Sequence, residues 1–354
     1  MNRTAIYRHP SFLAHDPGFD HVESAERLQV INDILETPPL AGKFSEPGFR
    51  SATQEELALN HDQKMIHRVA VTSGKRYDVL DPDTRTSARS YEAACLAAGA
   101  LLSGVDQLMA REIDNGFAFV RPPGHHAERD QSMGFCLFNN VAIAAQYATR
   151  TLGLDRVMIV DWDLHHGNGT QRSFYDSAKV LYVSSHQYPF YPGSGSLPET
   201  GRGAGMGYTL NIPLPGYQGD EDYAALMNDI VIPVGRAYRP QLILVSCGFD
   251  IYDGDLLGAM RVSAKGFSYL TRAMMRLAAE VCEGRVLVSL EGGYNLTAQR
   301  DGALAVLAEL RGGLDGYDHA GRLSKADDQR LRGQKISQPF LLQAMEVAKQ
   351  YWNL

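Results

Sequence analysis

Short, predominantly apolar segments recur along the chain at residues 4–8, 116–120, 157–160, 180–184, 208–212, 242–246 and 285–290. A strand with one wet face alternates apolar and polar positions. Continuous runs rich in Val, Ile and Leu instead predict strands buried on both faces, as in a parallel sheet. Between them the spacing predicts helices over 25–35, 62–72, 90–109, 141–151, 169–175, 220–238, 263–282, 298–310 and 338–354. Pro38 and Pro39 stop the first of these. Thr53 and Glu56 predict a capping box opening a short helix over 53–59. Asn139 or Asn140 opens the helix over 141–151, and Pro233 is expected to kink or break the one over 220–238. Residues 11–26 and 78–89 read as polar loops, and 186–207 as a loop long enough to be functional. Strand and helix alternate without a linker-like shift in composition. The expectation is an α/β fold with three α-β-α layers, and one domain over residues 1–354.

Polar residues cluster where the apolar runs end. The run at 116–120 leads into Arg121-Pro122-Pro123-Gly124-His125-His126, and the run at 157–160 into Asp161-Trp162-Asp163-Leu164-His165-His166-Gly167-Asn168-Gly169. The run at 242–246 leads into Cys247-Gly248-Phe249-Asp250, and the last into Glu291-Gly292-Gly293-Tyr294-Asn295. In a parallel sheet these carboxyl ends share one edge, so residues far apart in sequence can converge there. Alternation along an extended chain puts Asp161, Asp163 and His165 on one side. That much charge beside a core costs several kcal/mol per unpaired ion, roughly, and a metal ion offsets it. Asp163, His165 and Asp250 form a three-donor set of the kind that leaves an open position for water at catalytic zinc. The histidine pair can move protons, with Asp161 as an orienting carboxylate. Tyr294 can donate to a developing oxyanion. Phe135, Tyr188, Phe190 and Tyr191 can wall a narrow channel. The sum is metal-assisted hydrolysis of an amide. His15, Asp16, His21, Glu23 and Glu26 crowd residues 11–26; a second metal site is one reading, and a solvated loop before a helix start at Ser24 is preferred.

The totals narrow the setting. The chain has 354 residues, 44% hydrophobic and 21% charged, an ordinary globular composition. A net charge of -7 without a run of Lys and Arg argues against a nucleic-acid partner. No apolar stretch is long enough to span a membrane, and the first residues lack a signal-peptide core. Cys95, Cys136, Cys247 and Cys282 lack CxxC spacing and have apolar neighbours. They are expected to be free, buried thiols, which points to a reducing, cytoplasmic location.

With these motifs in this order, together with Gly134-Phe135-Cys136 and Tyr191-Pro192-Gly193-Ser194-Gly195, the chain resembles the histone deacetylase family, on its class II side, and its bacterial amidohydrolase relatives. The resemblance implies an arginase-like fold with an eight-stranded parallel sheet. It implies Zn²⁺ on Asp163, His165 and Asp250. His126 then looks like the general base and acid, oriented by Asn168, while His125, backed by Asp161, supports the transition state. Tyr294 would polarise the acetyl carbonyl. Gly134, Phe135 and Tyr191 would line an acyl-lysine tunnel with Leu257 at its rim. A structural K⁺ would lie among Asp161, Asp163, His165 and Ser184. Three positions depart from the commoner pattern. Asn168 replaces the aspartate of class I members, Tyr191 replaces a phenylalanine, and Leu257 is apolar where polyamine-specific relatives carry an acid. The implied substrate is an acetyl-lysine side chain in a peptide or protein. A small acetyl-amine such as an acetylpolyamine, a two-manganese ureohydrolase and a silent acyl-lysine reader are the rivals. Oligomeric state stays open, as does Zn versus Fe.

Overall fold

The computed structural model describes residues 1–354 except 39 and 315–317. In chain order its strands are β1 (Thr4–Tyr7), β2 (Asp78–Asp81), β3 (Thr84–Thr86), β4 (Asn115–Ala118) and β5 (Val157–Asp161). They continue with β6 (Val180–Gln187), β7 (Thr209–Leu214), β8 (Leu242–Cys247) and β9 (Val286–Leu290). The main sheet runs β1-β4-β9-β8-β5-β6-β7. Every pairing in it is parallel. All residues of β5, β8 and β9 are buried, which requires cover on both faces. Helices supply it: Ser90–Met109 lies against β4 and β9, and Ala264–Val281 pairs with Leu296–Arg311. The expected α/β sandwich is the observed one.

The sheet has seven strands among the described residues, not eight. The outer place beside β1 is taken by Ser45, whose N–H donates to Thr4 O (3.0 Å) and whose carbonyl accepts from Ile6 N (2.8 Å). The next donor on that side would be residue 47, a proline with no N–H, so the ladder stops at a single bridge.

Other differences have local causes. Residues 78–89, expected as loop, contain the antiparallel hairpin β2-β3. Its polar side chains hide the strand signal, because one face meets solvent. Pro233 neither breaks nor sharply ends its helix. A π-helical turn, Met227–Val231, joins Asp220–Leu226 to Ile232–Tyr238. The wider turn accommodates a ring that has no N–H to donate. A helix at Lys325–Arg332, capped by Ser324 and Asp327, lies in a stretch read only as polar. The four cysteines are free and buried. Among the described residues no helix is long and apolar enough to cross a membrane.

Candidate active site

The register of the sheet aligns the ends of the carrying strands. Asp161, the last residue of β5, pairs with Ser184 on one side and Ser246 on the other, and Ser246 pairs with Ser289. The segments that leave these strands therefore meet. Asp163, His165 and Asp250 offer donor atoms that all lie within 4.8 Å of one another. His165 Nδ1 stands 3.2 Å from Asp163 Oδ1 and 3.2 Å from Asp250 Oδ2. Three hydrogen bonds aim the carboxylates: Gly292 N to Asp163 Oδ2 (2.7 Å), His165 N to Asp163 Oδ1 (2.9 Å) and Leu164 N to Asp250 Oδ1 (2.9 Å). Asp250 Oδ2 is buried and has no hydrogen-bond partner.

The backbone makes room for this cluster. A Cβ at Gly248 would lie 2.1 Å from Asp163 Oδ2, and one at Gly292 2.4 Å from Asp250 Oδ2. Two glycines thus permit two buried carboxylates to approach. An unpartnered carboxylate oxygen facing an imidazole nitrogen and a second carboxylate fits a divalent cation with O and N donors. The charges respond to one another. Burial and Asp163 push Asp250 up to about 7. Burial opposes the charge of His165, but Asp163 and Asp250 prevail and raise it to about 9.

The histidine pair lies beside the cluster. His125 Nδ1 is 3.1 Å from Asp161 Oδ2, which also accepts from Tyr182 Oη at 2.9 Å. Burial disfavours the cation, yet Asp163 and Asp161 raise His125 to about 10. His126 Nδ1 is 2.8 Å from Asn168 Oδ1, so Nδ1 carries the proton and Nε2 is the free base. Burial and the neighbouring His125 and His165 hold His126 well below its ordinary value. The surroundings thus favour the cation of one histidine and the neutral form of its neighbour. His166 faces away, to Ser194 Oγ (2.8 Å) and Gln171 Oε1 (3.0 Å).

Tyr294 lies within the electrostatic reach of the same carboxylates, Asp250 and Asp163. Its N–H donates to Asp255 Oδ2 at 2.7 Å, and its ring meets Phe135 edge-on, centroids 5.9 Å apart. Burial raises the phenol well above its ordinary value, so the hydroxyl keeps its proton. Tyr191 stands edge-on to His126 at 5.1 Å, and Phe190 stacks on His165 at 5.7 Å. Tyr191 is 36% exposed, so this wall reaches from the three donors to solvent. Leu257 is half-buried, tied through its N–H to Asp255 Oδ1. The predicted site residues therefore gather at one sheet edge. A profile of the histone deacetylase domain matches residues 21–310.

The chain belongs to the histone deacetylase family.

Histone deacetylase 15 of Arabidopsis thaliana is 40% identical over 297 residues, 82% of this chain and 53% of that protein. A probable deacetylase of Archaeoglobus fulgidus is 36% identical over 297 residues, 83% of this chain and 82% of that one. The polyamine deacetylase HDAC10 of Danio rerio is 41% identical over 295 residues, 80% of this chain and 43% of that one. The chain thus spans about half the length of the Arabidopsis relative and less than half of the Danio one. The crystal structure of the HDA15 HD domain superposes with a TM-score of 0.88 at 36% identity, covering 99% of this chain and 95% of that one.

Several residues that support this histone deacetylase-family site were given no supporting role from the sequence. Asp255 ties Tyr294 to Leu257, but it reads as one more loop acid. Glu291 accepts from Gly124 N (2.7 Å) and His125 N (3.1 Å), fixing the histidine turn. The expectation of a solvated loop over 11–26 is corrected: His15 and Glu23 are buried. Glu23 pairs with Arg121 (2.5 Å) and Arg27 (2.8 Å), and His15 Nε2 lies 3.3 Å from it. Arg27 in turn donates to Gly293 O (2.6 Å) and Glu291 O, and its guanidinium lies 5.0 Å from the centroid of Tyr294. Two buried arginines consume Glu23, the one buried acid of this stretch, so it is not free for a second metal. The hairpin braces the Gly134-Phe135 turn: Asp83 Oδ1 accepts from Gly134 N and Thr84 Oγ1 from Phe135 N, both at 3.1 Å.

Proposed function

We propose that this chain hydrolyses the amide of ε-N-acetyl-lysine in peptides or proteins, releasing acetate and the lysine amine. The observation that carries the reading is the convergence of three metal donors, a free imidazole nitrogen and a proton-bearing phenol at one sheet edge. Asp163, His165 and Asp250 would hold Zn²⁺, which suits two carboxylates and an imidazole. When bound, the ion supplies Lewis acidity towards a water and a carbonyl. His126 Nε2 takes the proton of the attacking water as the C–O bond forms. It returns a proton to the amine as the C–N bond breaks. Tyr294 donates its hydroxyl hydrogen to the carbonyl oxygen as negative charge develops there. His125, hydrogen-bonded to Asp161, would support the transition state electrostatically. Phe135 and Tyr191, with Gly134 behind them, would flank the lysine stem, and Leu257 would meet the substrate at the rim.

A K⁺ among Asp161, Asp163, His165 and Ser184 is part of the same reading. His186 Nε2 faces the Gly195 carbonyl (2.8 Å), which can only accept, so the ring proton sits there. Ser184 Oγ then donates to His186 Nδ1 (2.9 Å), leaving its lone pairs free for a cation. We also read residues 1–354 as one catalytic unit.

The Danio relative carries the competing reading, a small acetyl-amine substrate. A substrate panel separates the two. The kcat/KM for an acetyl-lysine peptide is expected to exceed that for acetylspermidine by roughly tenfold or more, because Leu257 offers no charge to a secondary ammonium. Leu257→Glu should narrow the gap. Faster turnover of acetylspermidine by the unaltered protein would reject the peptide reading.

Asn168 adjusts the base. An amide stabilises the imidazolium less than a carboxylate does, so Asn168→Asp should raise the His126 pKa. The base must be unprotonated in the free enzyme. The acid limb of the kcat/KM profile should therefore move up by roughly one pH unit. An unchanged profile would reject the pairing as a determinant of basicity.

A further inference from the structure

An asparagine behind a catalytic histidine poses a problem that an aspartate does not. Its oxygen and its NH₂ group have nearly the same shape, and the two orientations have opposite effects. With Oδ1 towards His126, the imidazole proton stays on Nδ1 and Nε2 is a base. With the NH₂ group towards His126, Nδ1 must accept, the proton moves to Nε2, and the base is lost. Something must choose.

Glu128 stands where the choice is made. Asn168 Nδ2 donates to Glu128 Oε1 at 2.7 Å, while Oδ1 lies 2.8 Å from His126 Nδ1. The other contacts of Nδ2, to His126 O and Met133 Sδ, are both 3.4 Å and weaker. An ionised carboxylate only accepts, so it binds the NH₂ group and repels Oδ1. Arg172 pairs with the second oxygen of Glu128 and aims it. The placement is built into the backbone. His61 Nδ1 is 2.8 Å from Glu128 O, and a Cβ at Gly169 would lie 2.2 Å from Ala127 O. The start of the helix at Asn168–Phe174 is thereby pressed against the residues that carry His126 and Glu128.

We propose that Glu128 is a positioning residue that holds the Asn168 amide so that His126 keeps its proton on Nδ1 and its Nε2 free. Glu128 is not among the three metal donors; it acts through Asn168. The proposal rests on the deacetylase reading for its consequence in turnover, but the tautomer it assigns is a property of the resting protein.

The test is a cycle of four proteins: unaltered, Glu128→Gln, Asn168→Asp, and both. A glutamine can present its own NH₂ group and lets the amide turn over. Glu128→Gln is expected to lower kcat by about 10- to 100-fold with KM little changed. In the Asn168→Asp background, where no amide can turn over, the same change should cost nothing or raise kcat, since it also removes a carboxylate facing the new one. Equal losses in both backgrounds would overturn the proposal. The second readout is ¹⁵N NMR of His126 in chelated protein, where Glu128→Gln should move the ring proton towards Nε2; an unchanged tautomer would overturn it too. Should Glu128→Gln fail to fold, Arg172→Ala serves, since that side chain is 66% exposed. It should lower kcat roughly two- to fivefold and shift the tautomer the same way, and no tautomer shift would count against the proposal. An unaltered protein inactive on acetyl-lysine peptide would sink the deacetylase reading alone, leaving the NMR comparison to decide the role of Glu128.

Discussion

Asp250→Asn is expected to reduce bound divalent metal to background and activity by roughly three orders of magnitude or more. The cause is the donor set. Asp163 and Asp250 are both fully buried, and two glycines let their oxygens approach. Such a pair costs folding free energy unless a cation lies between the groups. An asparagine removes the charge and keeps the shape. The variant should therefore fold, and its stability reveals the trade. Asp250 is raised from an unfolded value near 4 to about 7. A raised carboxylate contributes stability below its unfolded pKa, and that stability is lost as pH rises through the folded value. Chelated wild-type protein should lose melting temperature between about pH 4 and 7 from this group. Metal displaces the proton, so metal affinity should climb over the same window. His165, raised to about 9, carries the same sign at higher pH. Asp250→Asn should flatten the first of these slopes, melt higher than chelated wild type near pH 8, and gain nothing from added zinc. Elemental analysis and melting with and without chelator check this. A variant that kept both metal and activity would remove Asp250 from the site.

Tyr294→Phe should lower kcat by about 10²- to 10³-fold, the usual cost of one oxyanion donor, while metal content and melting temperature stay unchanged. Phenylalanine keeps the edge contact with Phe135 and the face offered to Arg27, and loses only the hydroxyl. Because burial raises the phenol well above its ordinary value, the hydroxyl is protonated across any practical assay range. The loss should therefore be the same at each pH, unlike the shifted limb expected for Asn168→Asp. The backbone under Tyr294 is fixed by Asp255 and by Arg27 beneath Gly293, so the ring should not relocate to compensate. Turnover close to wild type would show that Tyr294 does not stabilise the oxyanion.

The metal donors, the histidine pair and Tyr294 were legible because they lie in the segments that leave the strand ends, whereas Gly134, Phe135, Tyr191 and Leu257 took their roles from the family resemblance. Parallel strands bring their carboxyl ends to one edge, so reading where the apolar runs stop was enough to group His125, Asp163, Asp250 and Tyr294. The residues that hold them were not legible. Glu128, Asp255 and Glu291 act through contacts across the fold, and although Glu291 lies in a marked strand-end cluster, nothing along the chain shows what any of them holds. Glu23 and His15 looked solvated because charged residues in a glycine- and proline-containing stretch usually are. Only the arrival of Arg27 and Arg121 makes their burial affordable.

The amino-acid sequence by itself determined the layered α/β architecture, the donor set and the chemistry it can support. Local periodicity and strand-end chemistry depend on residue types in order along the chain. The tertiary structure alone decided that the edge strand shrinks to one bridge at Ser45, that a polar hairpin braces Phe135, and that the surroundings favour the cation of His125 but the neutral form of His126. Those outcomes depend on burial and on partners tens to hundreds of residues away. A pKa or an amide orientation is a property of such surroundings, not of the residue that carries it.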